Sequence, residues 1–223
     1  RHMQESSRSG EGDVLYLEMQ TIDTGIHLGY TAATTYEPQP AQRTVLQRSG
    51  RITEETVHVG APGETLRMDK LVAICTSRDA DSPTTGTLRD RCRAVLAEHR
   101  EGGFDAVVAA SRAVWGRLWD ECDCEVVGNV AYTRALRFCV YHLVIAANPE
   151  DPTVNIGANA LAGERYRGHV FWDTEIFLLP FYILTQPDTA KALLRYRHHT
   201  LDGARANSRE YGTGGARYAW ESA

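Results

Sequence analysis

The chain contains 223 residues, of which 43% are hydrophobic and 24% are charged, and its formal net charge is −5 at pH 7. These proportions are ordinary for a globular protein, and so small a negative charge gives no reason to predict a nucleic-acid partner. No apolar run approaches the roughly 18 residues that identify a membrane-spanning helix, so no membrane partner is predicted either.

The cysteines and the first residues bear on where the protein works. The five cysteines are odd in number and scattered, which favours reduced thiols in a cytoplasm over a disulfide framework. Residues 1–12 open with RHM and continue as a polar stretch without the apolar centre of a signal peptide. We therefore expect a tag and a disordered leader at 1–12, and a cytoplasmic protein.

Residues 13–85 show the period-2 alternation of half-buried strands. The run VLYLEMQ places Leu15, Leu17 and Met19 on one face, and further runs of this kind are separated by turns that contain Gly and Pro. About five such strands leave at least one open edge, which proteins seldom expose. The pattern therefore predicts part of an antiparallel β-sandwich.

The hydrophobic period then changes to that of helices. Residues 86–122 are predicted to form a helical linker, in which the glycine pair at 102–103 ends the first apolar stripe. Early in 123–223, one predicted helix is apolar on most sides, which is typical of a helix with neighbours on several faces, as in a multi-helix barrel. We expect Leu136 and Leu143 of that helix to be buried.

Trp172 and Asp173 stand side by side where a cationic, glycine-containing segment meets an apolar, helix-like stretch. One interpretation is a helix cap beside a core tryptophan. The other is a sugar site, because a Trp ring offers a flat apolar face and an ionised Asp can accept hydrogen bonds from two neighbouring hydroxyls. A second aromatic–acid pair, Trp220 and Glu221, has the same chemistry, and the residues alone leave both interpretations open.

Two other groups of residues could bind an ion. Cys122 and Cys124 lack the second ligand pair that a zinc site uses, so no metal is predicted. Arg165, Arg167 and His169 could meet an anion, although arginines near a loop more often form ordinary ion pairs.

Three runs, GHVFWDTEIF, RYRHHTL and ARYAWESA, together resemble glycoside hydrolase family 65. That family contains inverting phosphorylases of α-glucosyl disaccharides such as maltose, trehalose, kojibiose and nigerose, and some hydrolases. The close resemblance covers about residues 153–223, and a weaker one reaches back to about residue 104. Ala219 departs from the family, which carries Pro in this run, and we expect the difference to alter only the local turn.

The resemblance implies a mixed α and β fold, with a partial antiparallel β-sandwich, a helical linker and the first part of an (α/α)6-barrel catalytic domain. It implies that Trp172 and Asp173 bind the glucosyl unit on the non-reducing side of the cleaved bond. Further candidates for the pocket are His169, Arg167, Trp220 and Glu221. The family's general acid is a Glu downstream of the W-E-S-A run, so neither Glu175 nor Glu221 is assigned as a catalytic residue, and none is assigned in this sequence.

The implied reaction is inverting phosphorolysis to β-glucose 1-phosphate, with inorganic phosphate as co-substrate and with no metal or organic cofactor. The implied partners are a glucosyl disaccharide, phosphate and a second copy of the chain in a homodimer. Two alternatives stay open, namely an inverting α-glucoside hydrolase of the same family and a catalytically inactive glucoside-binding fragment. Because the acid is expected downstream, we expect the 223-residue chain to be inactive on its own.

Overall fold

The computed structural model of the protein describes residues 2–79, 86–160 and 165–222. The chain divides into two compact units, Arg1–Ala113 and Val114–Ala223, each with its own buried cluster of apolar side chains. None of the helices in the described ranges combines the length and the apolar run that crossing a membrane requires.

The first unit is built on antiparallel strands. One sheet has the strand order β1-β2-β3-β6, and β4 and β5 form a separate hairpin. The bounds are β1 Met3–Glu11, β2 Val14–Thr21, β3 His27–Glu37, β4 Gln42–Arg48, β5 Arg51–Val57 and β6 Arg67–Thr76. Every pair of neighbours is antiparallel, so the antiparallel strands predicted for 13–85 are confirmed.

Strand β1 corrects the expectation of a disordered leader at residues 1–12. Met3–Glu11 pairs with β2 along its length, with one irregularity in the register. Arg89 also donates to Ser7 Oγ at 2.7 Å. The expectation failed because backbone hydrogen bonds and polar side-chain contacts, rather than an alternating apolar face, hold this strand in the sheet.

The first half of helix α1, Leu88–Cys122, covers one face of the four-stranded sheet. Two buried clusters lie between helix and sheet: Tyr16 with Cys75 and Cys92, and Ala33 with Ala73 and Leu96. The helix approaches closely at Gly29 of β3, where a Cβ atom would lie only 2.9 Å from Cys92 Sγ. A glycine at this position therefore allows the helix to pack directly on the backbone of the strand.

The helical backbone of α1 is broken at Gly103, where φ is 71° and ψ is −178°. Residues with a side chain essentially never adopt this combination, so the break depends on glycine. The predicted end of the first apolar stripe at 102–103 is confirmed, and helical structure resumes beyond it.

The second unit contains the end of α1 and four shorter helices within its described residues. These are α2 Val130–Ala146, α3 Leu179–Thr185, α4 Pro187–His199 and α5 Leu201–Glu210. A π-helical turn, Thr174–Leu178, leads directly into α3, and two short strands, β7 Val170–Phe171 and β8 Glu221–Ser222, pair antiparallel.

The core of the second unit centres on Tyr182, which is fully buried. The cluster comprises Ile156, Leu179, Tyr182, Ala190 and Leu193. A buried tyrosine needs a partner for its hydroxyl, and Tyr182 donates to the carbonyl of Leu143 at 2.6 Å. This contact ties α3 to α2.

Helix α2 buries less of its apolar surface than its sequence predicts. Leu136 is 40% exposed, so the expectation that it is buried is wrong, and Leu143 is half-buried. The described elements around α2 cover only part of its circumference, which leaves Phe138 exposed as well. The fold class itself, antiparallel strands followed by helices, is confirmed, whereas the borders between β domain, linker and barrel stay predictions.

Candidate functional site

Trp172 and Asp173 lie at a corner where strand β7 turns into the helical turn that precedes α3. The helical hydrogen bonding begins at this corner, because the amide of Glu175 donates to Trp172 O at 3.2 Å. Strand β7 also pairs with β8, with Phe171 opposite Glu221. This short ladder brings the second aromatic–acid pair of the sequence next to the first.

The two tryptophans of these pairs contact each other. The ring centroids of Trp172 and Trp220 lie 4.7 Å apart with an interplanar angle of 82°, and Phe171 adds a second edge contact to Trp220 at 5.9 Å. Trp172 is 41% exposed and Trp220 is 56% exposed. Exposed aromatic faces held by edge contacts can stack on the apolar face of a ligand.

The Asp173 carboxylate is exposed and makes no capping hydrogen bond within the described part of the chain. The helix-cap interpretation is therefore wrong, since neither a cap nor a core tryptophan is found. A carboxylate at the amino-terminal end of a helical segment is favoured by the free backbone N–H groups there. Its oxygens can accept hydrogen bonds from a ligand's hydroxyls.

Asp173 lines a cleft of about 800 Å³ in the second unit. The cleft lies between α2, the segment 156–160 and the residues that follow β7; its lining includes Phe138, Tyr141, His142, Asn159, Asp173 and Phe177. Trp172 does not line it, but Phe171 does, and the Phe171 ring contacts Trp220. The cleft and the tryptophan pair therefore meet at Phe171.

The remaining candidates divide into two groups. His169 Nδ1 lies 2.7 Å from Glu221 Oε1, so these two residues are paired beside the tryptophans. Arg167 is exposed, has a φ of 50°, and forms no ion pair with any described residue. The structure thus brings together His169, Trp220 and Glu221 with Trp172, and does not bring Arg167 to them.

The sequence analysis missed an ion pair between Glu175 and Arg197. Arg197 Nη2 lies 2.7 Å from Glu175 Oε2, and both side chains are largely buried. Asn155 Nδ2 donates to the other carboxylate oxygen at 3.1 Å. The partners are 22 residues apart and on different helical segments, so no local spacing pattern indicates the pair.

The cysteine pair behaves as two unrelated thiols. Cys122 is buried and donates to Leu118 O at 2.9 Å, and its burial raises the pKa of the thiol, whereas Cys124 is exposed. Across residues 2–79, 86–160 and 165–222, no group of three or more His, Cys, Asp or Glu side chains could hold a metal ion.

Two family models match the chain. The model described as the glycosyl hydrolase family 65 N-terminal domain matches residues 1–118, and the family 65 central catalytic domain matches residues 137–223. The first model includes β1, in agreement with the place of that strand in the sheet.

Curated relatives match over most of the chain. A kojibiose phosphorylase from Thermoanaerobacter brockii is 37% identical over 217 residues, which cover 94% of this chain and 28% of the relative. A 1,2-alpha-glucosylglycerol phosphorylase from Bacillus selenitireducens is 36% identical over 78% of this chain and 21% of its own length. A nigerose phosphorylase from Lachnoclostridium phytofermentans is 34% identical over 73% and 21%. The chain therefore spans less than a third of the length of these relatives.

A solved structure shows the same fold. It belongs to a protein from the human microbiome described as a candidate kojibiose phosphorylase, and it matches with a TM-score of 0.79 at 24% identity. The match covers 99% of this chain and 29% of the other.

Proposed function

Because the chain belongs to glycosyl hydrolase family 65, we propose that it supplies the glucosyl-binding corner of an enzyme that cleaves α-glucosyl disaccharides by phosphorolysis. The observation that carries the proposal is the Asp173 carboxylate. It is exposed, makes no capping hydrogen bond within the described residues, and lines a cleft of about 800 Å³. That volume is large enough for a disaccharide. The Trp172 ring does not line the cleft, but it follows Phe171 at the edge of the cleft and offers an apolar face to a sugar bound there.

The names of the relatives that the chain resembles favour phosphorolysis over hydrolysis. The relatives from Thermoanaerobacter brockii, Bacillus selenitireducens and Lachnoclostridium phytofermentans are all named phosphorylases. Two of the names refer to kojibiose and nigerose, which are disaccharides of glucose. We therefore place an α-linked glucose disaccharide in the cleft and inorganic phosphate beside it.

The proposed reaction is a direct displacement with inversion. A protonated Glu donates its proton to the leaving glycosidic oxygen while a phosphate oxygen attacks the anomeric carbon from the opposite face. The C–O bond to the released sugar breaks as the bond to phosphate forms, which yields β-glucose 1-phosphate. This route requires no metal or organic cofactor, and the five free thiols suit a cytoplasmic reaction.

The acid is not assigned to a described carboxylate. Glu175 is held by Arg197 and Asn155, and Glu221 is paired with His169. Both carboxylates are therefore already engaged by neighbouring side chains. In the family that the chain resembles, the general acid is a Glu downstream of the W-E-S-A run.

The test is to incubate the intact protein with kojibiose or nigerose, with and without phosphate, and to follow the products by ¹H NMR. We expect glucose 1-phosphate in the β form only, and only when phosphate is present. Release of free glucose regardless of phosphate would support the hydrolase alternative. Binding of the disaccharide without turnover would support the glucoside-binding alternative. Sedimentation of the same sample tests the predicted homodimer.

A further inference from the structure

One guanidinium group forms hydrogen bonds on both sides of the corner that carries Trp172 and Asp173. Arg197, near the end of α4, donates from Nη2 to Phe171 O at 3.1 Å and to Glu175 Oε2 at 2.7 Å. Phe171 is the residue before the pair, and Glu175 lies two positions after it. Arg197 therefore bridges both ends of the segment that presents the two side chains.

Neighbouring side chains surround both charged groups of this bridge and limit their exposure to solvent. The side chains of Arg197 and Glu175 are only 13% and 20% exposed. The rings of Tyr196 and Tyr218 lie beside the guanidinium, with centroids 5.5 and 5.9 Å from Cζ. Asn155 occupies the second oxygen of Glu175. A poorly solvated ion pair keeps one geometry, because turning either group away would leave a charge without a partner.

We propose that Arg197 and Glu175 are positioning residues, whose ion pair sets the angle at which Asp173 and Trp172 meet the glucosyl unit. The proposal rests on the proposed function, since it assigns the pair to that same site. Neither side chain contacts the sugar; both act through the backbone of the corner. A displacement of about 1 Å at a substrate-binding group can lower the rate about 100-fold, so a bridge of this kind can control activity from behind the site.

Removing an ion pair with a purely structural role would have a different kinetic effect. The removal would reduce the folded fraction, which lowers the apparent kcat but leaves the KM for the disaccharide and the KM for phosphate unchanged. Removing a positioning pair instead raises the KM for the disaccharide and lowers kcat. The KM for phosphate should stay the same, because phosphate attacks from the opposite face of the ring.

The first experiment needs no turnover. The tryptophans of this sequence other than Trp172 and Trp220 are Trp115 and Trp119, so a Trp115→Phe/Trp119→Phe background makes the tryptophan bands of the near-ultraviolet circular dichroism spectrum a probe of the corner. In that background, Arg197→Met should abolish most of the signal from the tryptophan pair while the far-ultraviolet spectrum stays unchanged. Arg197→Lys keeps a charged donor and should retain most of the signal.

A matched control comes from the same helix. Lys191 pairs with Asp188 at 2.9 Å on the exposed side of α4, where their side chains are 64% and 90% exposed. Lys191→Met also removes one cation from one ion pair, yet it should leave the signal of the tryptophan pair unchanged. A loss of signal in this control equal to the loss in Arg197→Met would overturn the proposal.

The second experiment measures kinetics with the intact protein. We expect kcat/KM for the disaccharide to fall about 100-fold in Arg197→Met and about 10-fold in Glu175→Gln, with the KM for phosphate unchanged. Glu175→Gln is the milder change if Arg197→Met does not fold. The new amide would face Asn155 Nδ2, and Asn155 cannot turn its oxygen to meet it without losing the 2.7 Å bond to Ile156 N.

The outcomes separate this proposal from the proposed function. Normal spectra and normal KM values in Arg197→Met would overturn the positioning role, as would a loss of kcat with both KM values unchanged. If the unaltered protein turns over no disaccharide, the proposed function fails. The spectra of the tryptophan pair would still decide whether Arg197 holds the corner.

Discussion

Asp173 is the residue on which glucosyl binding depends in our proposal, and its surroundings allow a clean test. Its carboxylate is exposed and caps no helix in the described chain, so Asp173→Ala should change the free energy of unfolding by less than about 0.5 kcal/mol. Hydrogen bonds to a charged group contribute about 1.5–3 kcal/mol each, so losing one or two should lower kcat/KM by about two to three orders of magnitude. Steady-state kinetics and chemical denaturation of the intact protein measure both effects.

The control for this prediction is Asp202→Ala. Asp202 is an exposed aspartate in the first turn of α5, 97% exposed at its side chain, and its only described partner is Arg205 at 3.5 Å. We expect normal kinetics from this variant. Near-normal activity of Asp173→Ala would remove the assignment of that residue.

The cysteines offer a prediction about pH and reactivity. Burial, followed by the neighbouring Cys75 thiol, raises the pKa of Cys92 to about 12, and burial also raises the pKa of Cys122. Cys124 and Cys139 are exposed. Because the thiolate is the reactive form, a disulfide reagent at pH 8 should label two thiols of the native chain quickly and the other three slowly.

All five thiols should react at once in denaturant, which provides the control.

The raised pKa of Cys92 also has a consequence for stability, since the folded state favours the protonated thiol. This contribution is complete below the unfolded pKa of about 8.5 and is lost as the pH rises toward 12. Stability that does not decline over that interval, or a third rapidly labelled thiol at pH 8, would contradict the assignment.

At this scale, the sequence indicated candidate site residues only where chemistry is concentrated in neighbouring positions. Trp172 and Asp173 are adjacent, so their joint chemistry was visible, and the similar pair at Trp220 drew attention for the same reason. Arg197 had no such signal, because its role depends on a contact with Glu175 that only the folded chain makes. Arg167 differs from the other candidates, since it forms no contact with them within the described residues, and its place in the pocket stays a prediction.

At the scale of elements, helix α1 supplies a test of backbone conformation. Gly103 has a φ of 71° and a ψ of −178°, so Gly103→Ala should destabilise the protein by about 1–3 kcal/mol. Gly116 lies in the same helix without a positive φ, and among the described residues nothing lies within 4 Å of a Cβ atom built there. Gly116→Ala should therefore stabilise by about 0.4–1 kcal/mol.

Urea denaturation of the two variants measures the difference directly. The two substitutions add the same methyl group, so opposite signs would isolate the effect of the backbone conformation. Destabilisation of similar size at both positions would show that α1 does not break at Gly103 as described.

The elements also show which kinds of structure a sequence pattern reveals. Strands β2 and β3 were predicted because apolar residues alternate along them, and the helices because their apolar residues recur at helical spacing. Strand β1 has no such pattern, since its place in the sheet comes from pairing with β2 and from contacts such as Arg93 with Glu11 at 2.7 Å. Partners of this kind are distant in sequence and invisible to a local window.

At the scale of the whole molecule, two units with separate cores correspond to two kinds of contribution. The first unit is a sheet covered by α1, and the described part of it carries none of the candidate sugar-binding residues. The second unit holds Trp172, Asp173, Trp220 and the Glu175–Arg197 pair. The corner that we propose to bind glucose is therefore built from residues of one unit, and on that proposal it should bind sugar without the rest of the catalytic machinery.

This arrangement leads to a prediction for the 223-residue chain by itself. The chain spans 28% of the kojibiose phosphorylase from Thermoanaerobacter brockii, and the resemblance places the general acid downstream of the W-E-S-A run. We expect the chain to bind glucose at Asp173, as detected by saturation-transfer difference NMR. We also expect it to release no glucose 1-phosphate from kojibiose and phosphate. Asp173→Ala should abolish the saturation transfer.

Release of glucose 1-phosphate by the isolated chain would overturn this prediction in an informative way. The proton would then have to come from a carboxyl group within these residues, and Glu221 beside Trp220 would be the first to replace by Gln, because it pairs with His169 rather than with an arginine. Binding without turnover would instead separate the two tasks physically, with recognition of glucose in the described corner and proton donation elsewhere in the family's catalytic domain.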